Sequence, residues 1–274
     1  MIDRKQAQIQ KELDMLAIEA QTVEQTREAL DAFVDFMRGL EFELEEYIPF
    51  MGQIRGFSPE VINKLRGFMV NPEHTFQIPA KFRDYAYGIF ATQAHNLFEG
   101  RFVFPVMDVY GHTAGFVGWD KDGHPKYLDS INVGYKSKFG GFFGMQFLSE
   151  YYKQNKIVVC EGPMCMIYLV DNGVPTVSSL GSKLTPYMIT ILKRFGENCL
   201  VIPDGHNDAA GGTYRKQVER SLPMARCVQP VKAKDIDDTR LWLREQGEEN
   251  ADKIIANEVL KLLEDHFYES EYFM

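Results

Sequence analysis

Residues 156–208 read KIVVCEGPMCMIYLVDNGVPTVSSLGSKLTPYMITILKRFGENCLVIPDGHND, and the punctuation of this stretch decides the fold. KIVVC is a short continuous apolar run, the pattern of a strand buried on both faces. PMCMIYLVDNG has helical length, opens on Pro163 and closes at Gly173. PTVSSL is a second strand. TPYMITILKRFG is a second helix, opened by Thr185 and Pro186 and ended at Gly196. CLVIP is a third strand. Beyond it, AGGTYRKQVERSL contains another helix and ARCVQPV a fourth strand. Strands alternating with helices of this length predict βαβ units and a parallel sheet.

An open α/β sheet takes its ligands outside the carboxyl ends of its strands. The first strand here ends VVCEG, with Glu161, and the third ends VIPDGHND, with Asp204 and Asp208. The fourth is followed by KAKDIDD, with Asp235 and Asp237. Acids at three strand ends converge on one rim and repel each other unless hard divalent cations offset their charge. Mg²⁺ suits oxygen ligands and keeps waters and substrate phosphates in its shell. The expected chemistry is phosphoryl or nucleotidyl transfer assisted by one or two metal ions. Singly, each acid reads equally well as a helix cap or turn residue. The set, in register with the strands, points to a site.

Outward from this region, residues 3–47 read as helix. Apolar Ile9, Leu13, Leu16, Ala20, Val23, Leu30, Val34 and Met37 recur at heptad spacing, interrupted by Arg27. The stripe fits either an amphipathic helix packed on the body or a coiled-coil arm docking another chain. GFSPEVINKLRGFMV (56–70) starts a short helix with Ser58 as N-cap and Pro59 at its first position. From Arg101, RFVFPVMD and TAGFVGW form a hairpin about Gly111. The tail from Asp237 reads as helical, with a helix around Asp252–His266.

The chain has 274 residues and a net charge of −9, of which residues 1–50 carry −7. The body is therefore near neutral, and a local basic patch can still track a phosphate backbone. Cys160, Cys165, Cys199 and Cys227 form no CxxC pair and lie in apolar stretches. They read as reduced core thiols of a cytoplasmic protein, without a zinc site. No apolar run approaches a membrane span, and the N-terminus does not read as a signal peptide.

The order Glu-Gly after strand one, an Asp pair after strand three and Lys-Asp-x-Asp after strand four resembles a Toprim domain. Primases of the bacterial DnaG type share that domain with topoisomerases and some nucleases. The upstream motifs select the primases. Arg55–Phe68 resembles the helical segment near the start of their polymerase core, and Arg101–Trp119 resembles their RVMFPI-type hairpin. Pro125–Ser130 (PKYLDS) resembles PKYLNS, and Lys136–Met145 resembles their FHKG stretch. VVCEGPM resembles VVEGYMD, Ser179–Gly181 matches the second Toprim strand, and Ser221–Pro223 follows the third helix. The likeness covers about Arg55 to Asp238, and the EGP and KDI forms look most like primases of large tailed phages.

This resemblance implies an α+β fold: a small mixed N-terminal subdomain plus a Toprim (Rossmann-like parallel α/β sheet) subdomain, with an N-terminal helical arm. The expected boundaries are 1–50 for the arm, 51–150 for the N-terminal subdomain, 151–240 for Toprim and 241–274 for a helical tail. It implies synthesis of short RNA primers on single-stranded DNA from ribonucleoside triphosphates, with Mg²⁺ or Mn²⁺, two ions in all. Glu161, Asp204, Asp208 and Asp235 would hold the metals, with Asp237 as a fifth candidate. Arg101, Lys126 and Lys138 match basic positions facing template or nucleotide. Lys136 lies in the same Gly/Phe-rich stretch, and Tyr127 offers a ring for stacking.

Three departures stand out. The second motif usually reads D-x-D, whereas Asp204 and Asp208 are separated by Gly-His-Asn, with His206 at the regular position. The acid expected four residues after Glu161 is Cys165. No zinc-binding domain precedes the core and the tail is short for helicase binding, so a separate template-recognition protein and the replicative helicase are expected as partners. The competing readings are a Toprim nuclease and a degenerate, non-catalytic replisome or transcription-complex subunit.

Overall fold

The computed structural model describes residues 27–39, 49, 51–52, 54–70, 91–92, 95–96, 98, 100–129, 141–205, 209–230, 235–264 and 272–273. They divide into two units, drawn from 1–44, 67–105 and 112–138 and from 45–66, 106–111 and 139–274.

The first unit holds helix α1 (27–38) and a sheet in the order β1-β4-β5-β6. Its strands are β1 (Phe68–Met69), β4 (Phe102–Met107), β5 (Thr113–Trp119) and β6 (Tyr127–Asp129). A separate pair, β2 (Ala91–Thr92) and β3 (His95–Asn96), runs antiparallel. The predicted hairpin strands are β4 and β5, side by side and buried along their whole lengths. Leu30, Val34 and Met37 of the heptad stripe are at most 1% exposed and share a core with Phe68, Phe98, Val103 and Phe116. Phe33 meets Phe68 and Phe116 edge-on at 6.2 and 6.0 Å, contacts that add about 0.5–1.5 kcal/mol each beyond area burial. Asp31 pins the helix to the start of β5, accepting from the Thr113 N–H at 2.9 Å and its hydroxyl at 2.6 Å. Over 27–38 the stripe is therefore a core-facing amphipathic surface. Apart from Gly39 and Pro49, the remainder of the expected arm lies outside the described residues.

In the second unit, after helical residues at 49, 51–52 and 54–55, comes α2 (Pro59–Lys64), capped by Ser58, whose hydroxyl accepts from the Val61 N–H at 3.2 Å. The backbone N–H of Ser58 donates to Asp171 at 2.8 Å, and its hydroxyl donates to the same carboxylate. The helix stops well short of Val70, because Phe68–Met69 is strand. Then come α3 (Leu148–Gln154), β7 (Ile157–Cys160), α4 (Pro163–Asp171), β8 (Thr176–Ser178), α5 (Pro186–Leu192) and β9 (Cys199–Ile202). They are followed by α6 (Ala209–Ser221), β10 (Arg226–Cys227), β11 (Gln229–Pro230), α7 (Ile236–Glu245), α8 (Ala251–Glu264) and β12 (Tyr272–Phe273).

The main sheet has the order β10-β9-β7-β8, with all pairs parallel. From β7 the chain winds to β8 on one side, then crosses back to β9 on the other. The carboxyl ends of β7 and β9 thus lie side by side where the winding reverses, the position at which open α/β sheets form a binding crevice. The core of this unit joins Ile157, Val159, Val177 and Val201 of the sheet to Met188, Leu192, Tyr214 and Val218 of the helices. The fourth strand is shorter than its sequence suggests. Only Arg226–Cys227 pairs with β9, while Gln229–Pro230 pairs with β12 in a separate two-stranded sheet. Pro230 has no N–H to continue a ladder.

Candidate active site

Glu161 directly follows β7 and is 8% exposed. Its carbonyl accepts from the hydroxyl of Ser178, the last residue of β8, at 2.7 Å. Its Oε1 accepts the backbone N–H of Asp204 at 3.1 Å. That bond carries the Glu161 side chain from the end of β7 to the end of β9, so the two leading predicted acids meet at the reversal point.

Asp235 is the N-cap of α7, its side chain accepting from the Asp238 N–H at 2.8 Å. Burial lifts its carboxyl from the ordinary 3.8 to about 6; the negative charges of Asp238, Asp204 and Asp237 push the same way, against the N–H bond that lowers it. Asp235 thus stands close enough to Asp204 to feel its charge. Asp237 differs: Oδ2 takes Arg55 Nη1 at 2.6 Å and Oδ1 takes Arg240 Nη2 at 2.7 Å. Both its oxygens are engaged by guanidinium groups, an arrangement of a structural ion pair and not of a metal ligand.

Cys165, standing where an acid was expected, is buried and lies against the Asp237 backbone. Burial pushes both its thiol and that of Cys160 well above the ordinary range, with nearby carboxylates adding to the effect. Both are neutral thiols and poor ligands. Among the described residues, which include Glu161, Asp204 and Asp235, no three His, Cys, Asp or Glu side chains stand together as a group that could hold a metal ion. Asp208 and His206, the two candidate partners of Asp204, lie outside the described residues. What is on the rim fits a hard cation: oxygen donors only, partly desolvated, and mutually repelling. One or two carboxylates completed by water and phosphate suffice for Mg²⁺.

The Toprim-like family model matches residues 158–240. The structure superposes on a solved DnaG catalytic core with a TM-score of 0.63 at 25% identity, over 81% of this chain and 76% of that one. The fold is that of a DnaG-type primase core. A DnaG primase catalytic domain bound to single-stranded DNA matches with a TM-score of 0.68 at 24% identity, over 87% of this chain and 80% of that one. The DNA primase of Legionella pneumophila is 33% identical over 134 residues, 47% of this chain and 23% of that protein. That of Haemophilus influenzae is 26% identical over 237 residues, 80% of this chain and 39% of that protein. The chain thus spans about a quarter to two fifths of the length of these two relatives.

In the primase-core fold the predicted basic residues belong to the first unit. Arg101 is 7% exposed, and its Nη1 donates to the Lys126 carbonyl at 3.2 Å. Burial and that bond give Arg101 a structural task, tethering the turn before β6, while the Lys126 side chain is exposed. Tyr127 is half-buried and sits opposite Trp119 in the β5–β6 ladder. Lys136 and Lys138 lie outside the described residues. Sequence reasoning missed Ser178, which steadies Glu161 from the neighbouring strand, and the arginines on Asp237. Arg55 opens the primase-like stretch Arg55–Phe68, but its partner is 182 residues away, and no local pattern reveals such a pairing. Among the described residues no helix is long and apolar enough to cross a membrane.

Proposed function

We propose that this chain is the catalytic core of a primase, joining ribonucleoside triphosphates into short RNA on a single-stranded DNA template. The observation that carries the reading is the meeting of Glu161 and Asp204 at the winding reversal of a Toprim-like sheet within a primase-core fold. Glu161 and Asp204 hold divalent cations, Mg²⁺ or Mn²⁺, with Asp235 and Asp208 completing the set. Asp237 is left out because two arginines occupy it. When bound, the ions lower the pKa of an attacking 3′-hydroxyl and offset the charge of the pyrophosphate.

The chain's own residues do the rest. The Asp204 N–H orients the Glu161 carboxylate, and Ser178 fixes the backbone beneath it. Lys126 and Lys138 attract template or nucleotide phosphates, so binding weakens with salt, and Tyr127, next to Lys126, offers a ring for stacking. Lys136 belongs to the same phosphate-facing group. Arg101 acts through the turn that presents Lys126. A replicative helicase and a separate zinc-binding or template-recognition protein are the expected partners. The EGP and KDI motifs support kinship with primases of large tailed phages, acting in the cytosol of an infected cell.

The test incubates the protein with single-stranded DNA, ribonucleotides and Mg²⁺ or Mn²⁺, comparing wild type with Glu161→Gln. Metal-dependent oligoribonucleotides that disappear in the variant support the primase. Template cleavage without synthesis assigns the site to a nuclease. Inactivity of wild type even with a helicase supplied contradicts an enzymatic role.

A further inference from the structure

We propose that Arg55 and Arg240 are positioning residues for the carboxylate rim: by gripping Asp237 they fix the first turn of α7, and with it Asp235. The proposal rests on the reading of Glu161, Asp204 and Asp235 as a cation site.

The grip is buried and built from several directions. Arg240 is fully buried and Arg55 and Asp237 nearly so. Arg240 spends its two terminal nitrogens on different elements: Nη2 goes to Asp237 Oδ1 and Nη1 to the Arg55 carbonyl, each at 2.7 Å. A lysine ammonium is a point charge on a flexible stem and cannot hold both geometries, whereas the planar guanidinium does so with little loss of freedom. Arg240 also lies over the Tyr168 ring at 5.2 Å, and the Tyr168 hydroxyl donates to the Asp252 carbonyl. Arg244 Nη2 holds the Asp252 carboxylate at 2.7 Å, tying the start of α8 to the same cluster. Gly56, with φ at +72°, lets the backbone next to Arg55 come close, since a Cβ there would stand 3.2 Å from Arg244 Nη2. From α4, buried Cys165 lies against the Asp237 backbone.

These contacts all act on the turn to which Asp235 is bound. Asp235 accepts the Asp238 N–H on its side chain at 2.8 Å, and its carbonyl takes the Thr239 N–H at 2.9 Å and hydroxyl at 2.7 Å. Asp235 and Asp237 therefore move as one body. Asp235 lies near enough to Asp204 for the two charges to oppose each other. The two arginines hold the turn that carries Asp235, through Asp237. They shape the site as outer partners shape a metal site, by fixing the direction from which a ligand points.

The test uses the full chain with Arg240→Met, which keeps bulk and removes charge, and with Arg240→Lys. Ser58→Ala, which breaks the contact to Asp171 in the same unit, serves as a stability control. Amide exchange at Asp238 and Thr239 is followed against Val159 and Ile255. Mn²⁺ binding without template or nucleotide is followed by electron paramagnetic resonance. In Arg240→Met, the two amides are expected to exchange about tenfold faster or more while the reference amides hold. Mn²⁺ affinity is expected to fall about 10- to 100-fold, without rescue by Arg240→Lys. Ser58→Ala is expected to lower thermal stability and leave both readouts unchanged. A folded Arg240→Met with wild-type exchange at Asp238, or with faster exchange and unchanged Mn²⁺ affinity, overturns the proposal. If Arg240→Met does not fold, Arg55→Lys is read by the same two measurements. If wild type shows no Mn²⁺ binding sensitive to Glu161→Gln, the cation reading fails, and exchange alone decides the grip.

Discussion

Asp235 and Asp237 are two residues apart on one turn, yet their surroundings are opposed. Asp237 is buried between two guanidinium groups that neutralise it and take both its oxygens. Asp235 receives one backbone N–H, is partly desolvated, and faces the charge of Asp204 and its own neighbours, so its carboxyl rises to about 6. A protein selected for stability alone would arrange both like Asp237. The contrast separates a carboxylate that holds the fold from carboxylates the fold keeps available at a cost. On the proposed reading, a bound cation would remove that cost.

The largest expected effect is on chemistry. Glu161→Gln should lower metal-dependent primer synthesis by about 10³-fold, because the lost charge removes several kcal/mol of transition-state stabilisation. Circular dichroism should show the variant folded. Next comes Asp237→Asn, which leaves two buried guanidinium groups short of a countercharge and should cost about 3–5 kcal/mol in a denaturant titration. Asp235→Asn should do the opposite, stabilising the metal-free protein by about 1 kcal/mol, since asparagine caps equally well and the repulsion is gone. Equal destabilisation by the two substitutions would erase the contrast.

The pH dependence follows from Asp235. A raised carboxyl favours the folded state when protonated, a contribution that is full below about pH 4 and lost as pH rises through about 6. On the proposed reading, Mg²⁺ would bind the ionised form and act in the opposite sense. The rise in Tm caused by Mg²⁺ should therefore be full near pH 8 and fade by about pH 5. An equal rise at both would remove Asp235 from the ligand set. The smallest effect is that of Ser58→Ala, which loses a cap and its tie to Asp171. It should lower stability by about 1 kcal/mol and leave Mg²⁺ dependence unchanged.

Where sequence spoke clearly, local chemistry made the choice. Pro163, Thr185-Pro186 and Gly173 mark helix ends, and the apolar runs became β7, β8 and β9 as expected, while the helix expected to reach Gly196 stops at Leu192 and Gly196 opens a 3-10 turn. Glu161 and Asp204 could be nominated because strand ends are readable. The fourth strand was overread because ARCVQPV has the composition of one strand, while the pairing partner changes between Cys227 and Gln229. The heptad stripe was readable as a stripe, but not its destination, since a partner helix and a core sheet demand the same spacing. Asp237 was indistinguishable from Asp235 in sequence. What separates them is Arg55, brought in from far along the chain, and Arg240, one helical turn ahead and hidden among ordinary surface-type residues.

The most direct test of the account is an anomalous difference map from crystals soaked in Mn²⁺. The account predicts a peak within coordinating distance of the Glu161 and Asp204 carboxylates, about 2.2 Å from their oxygens, and none at Asp237. A saturating soak with no peak at Glu161 and Asp204, or with its main peak on Asp237, would contradict it.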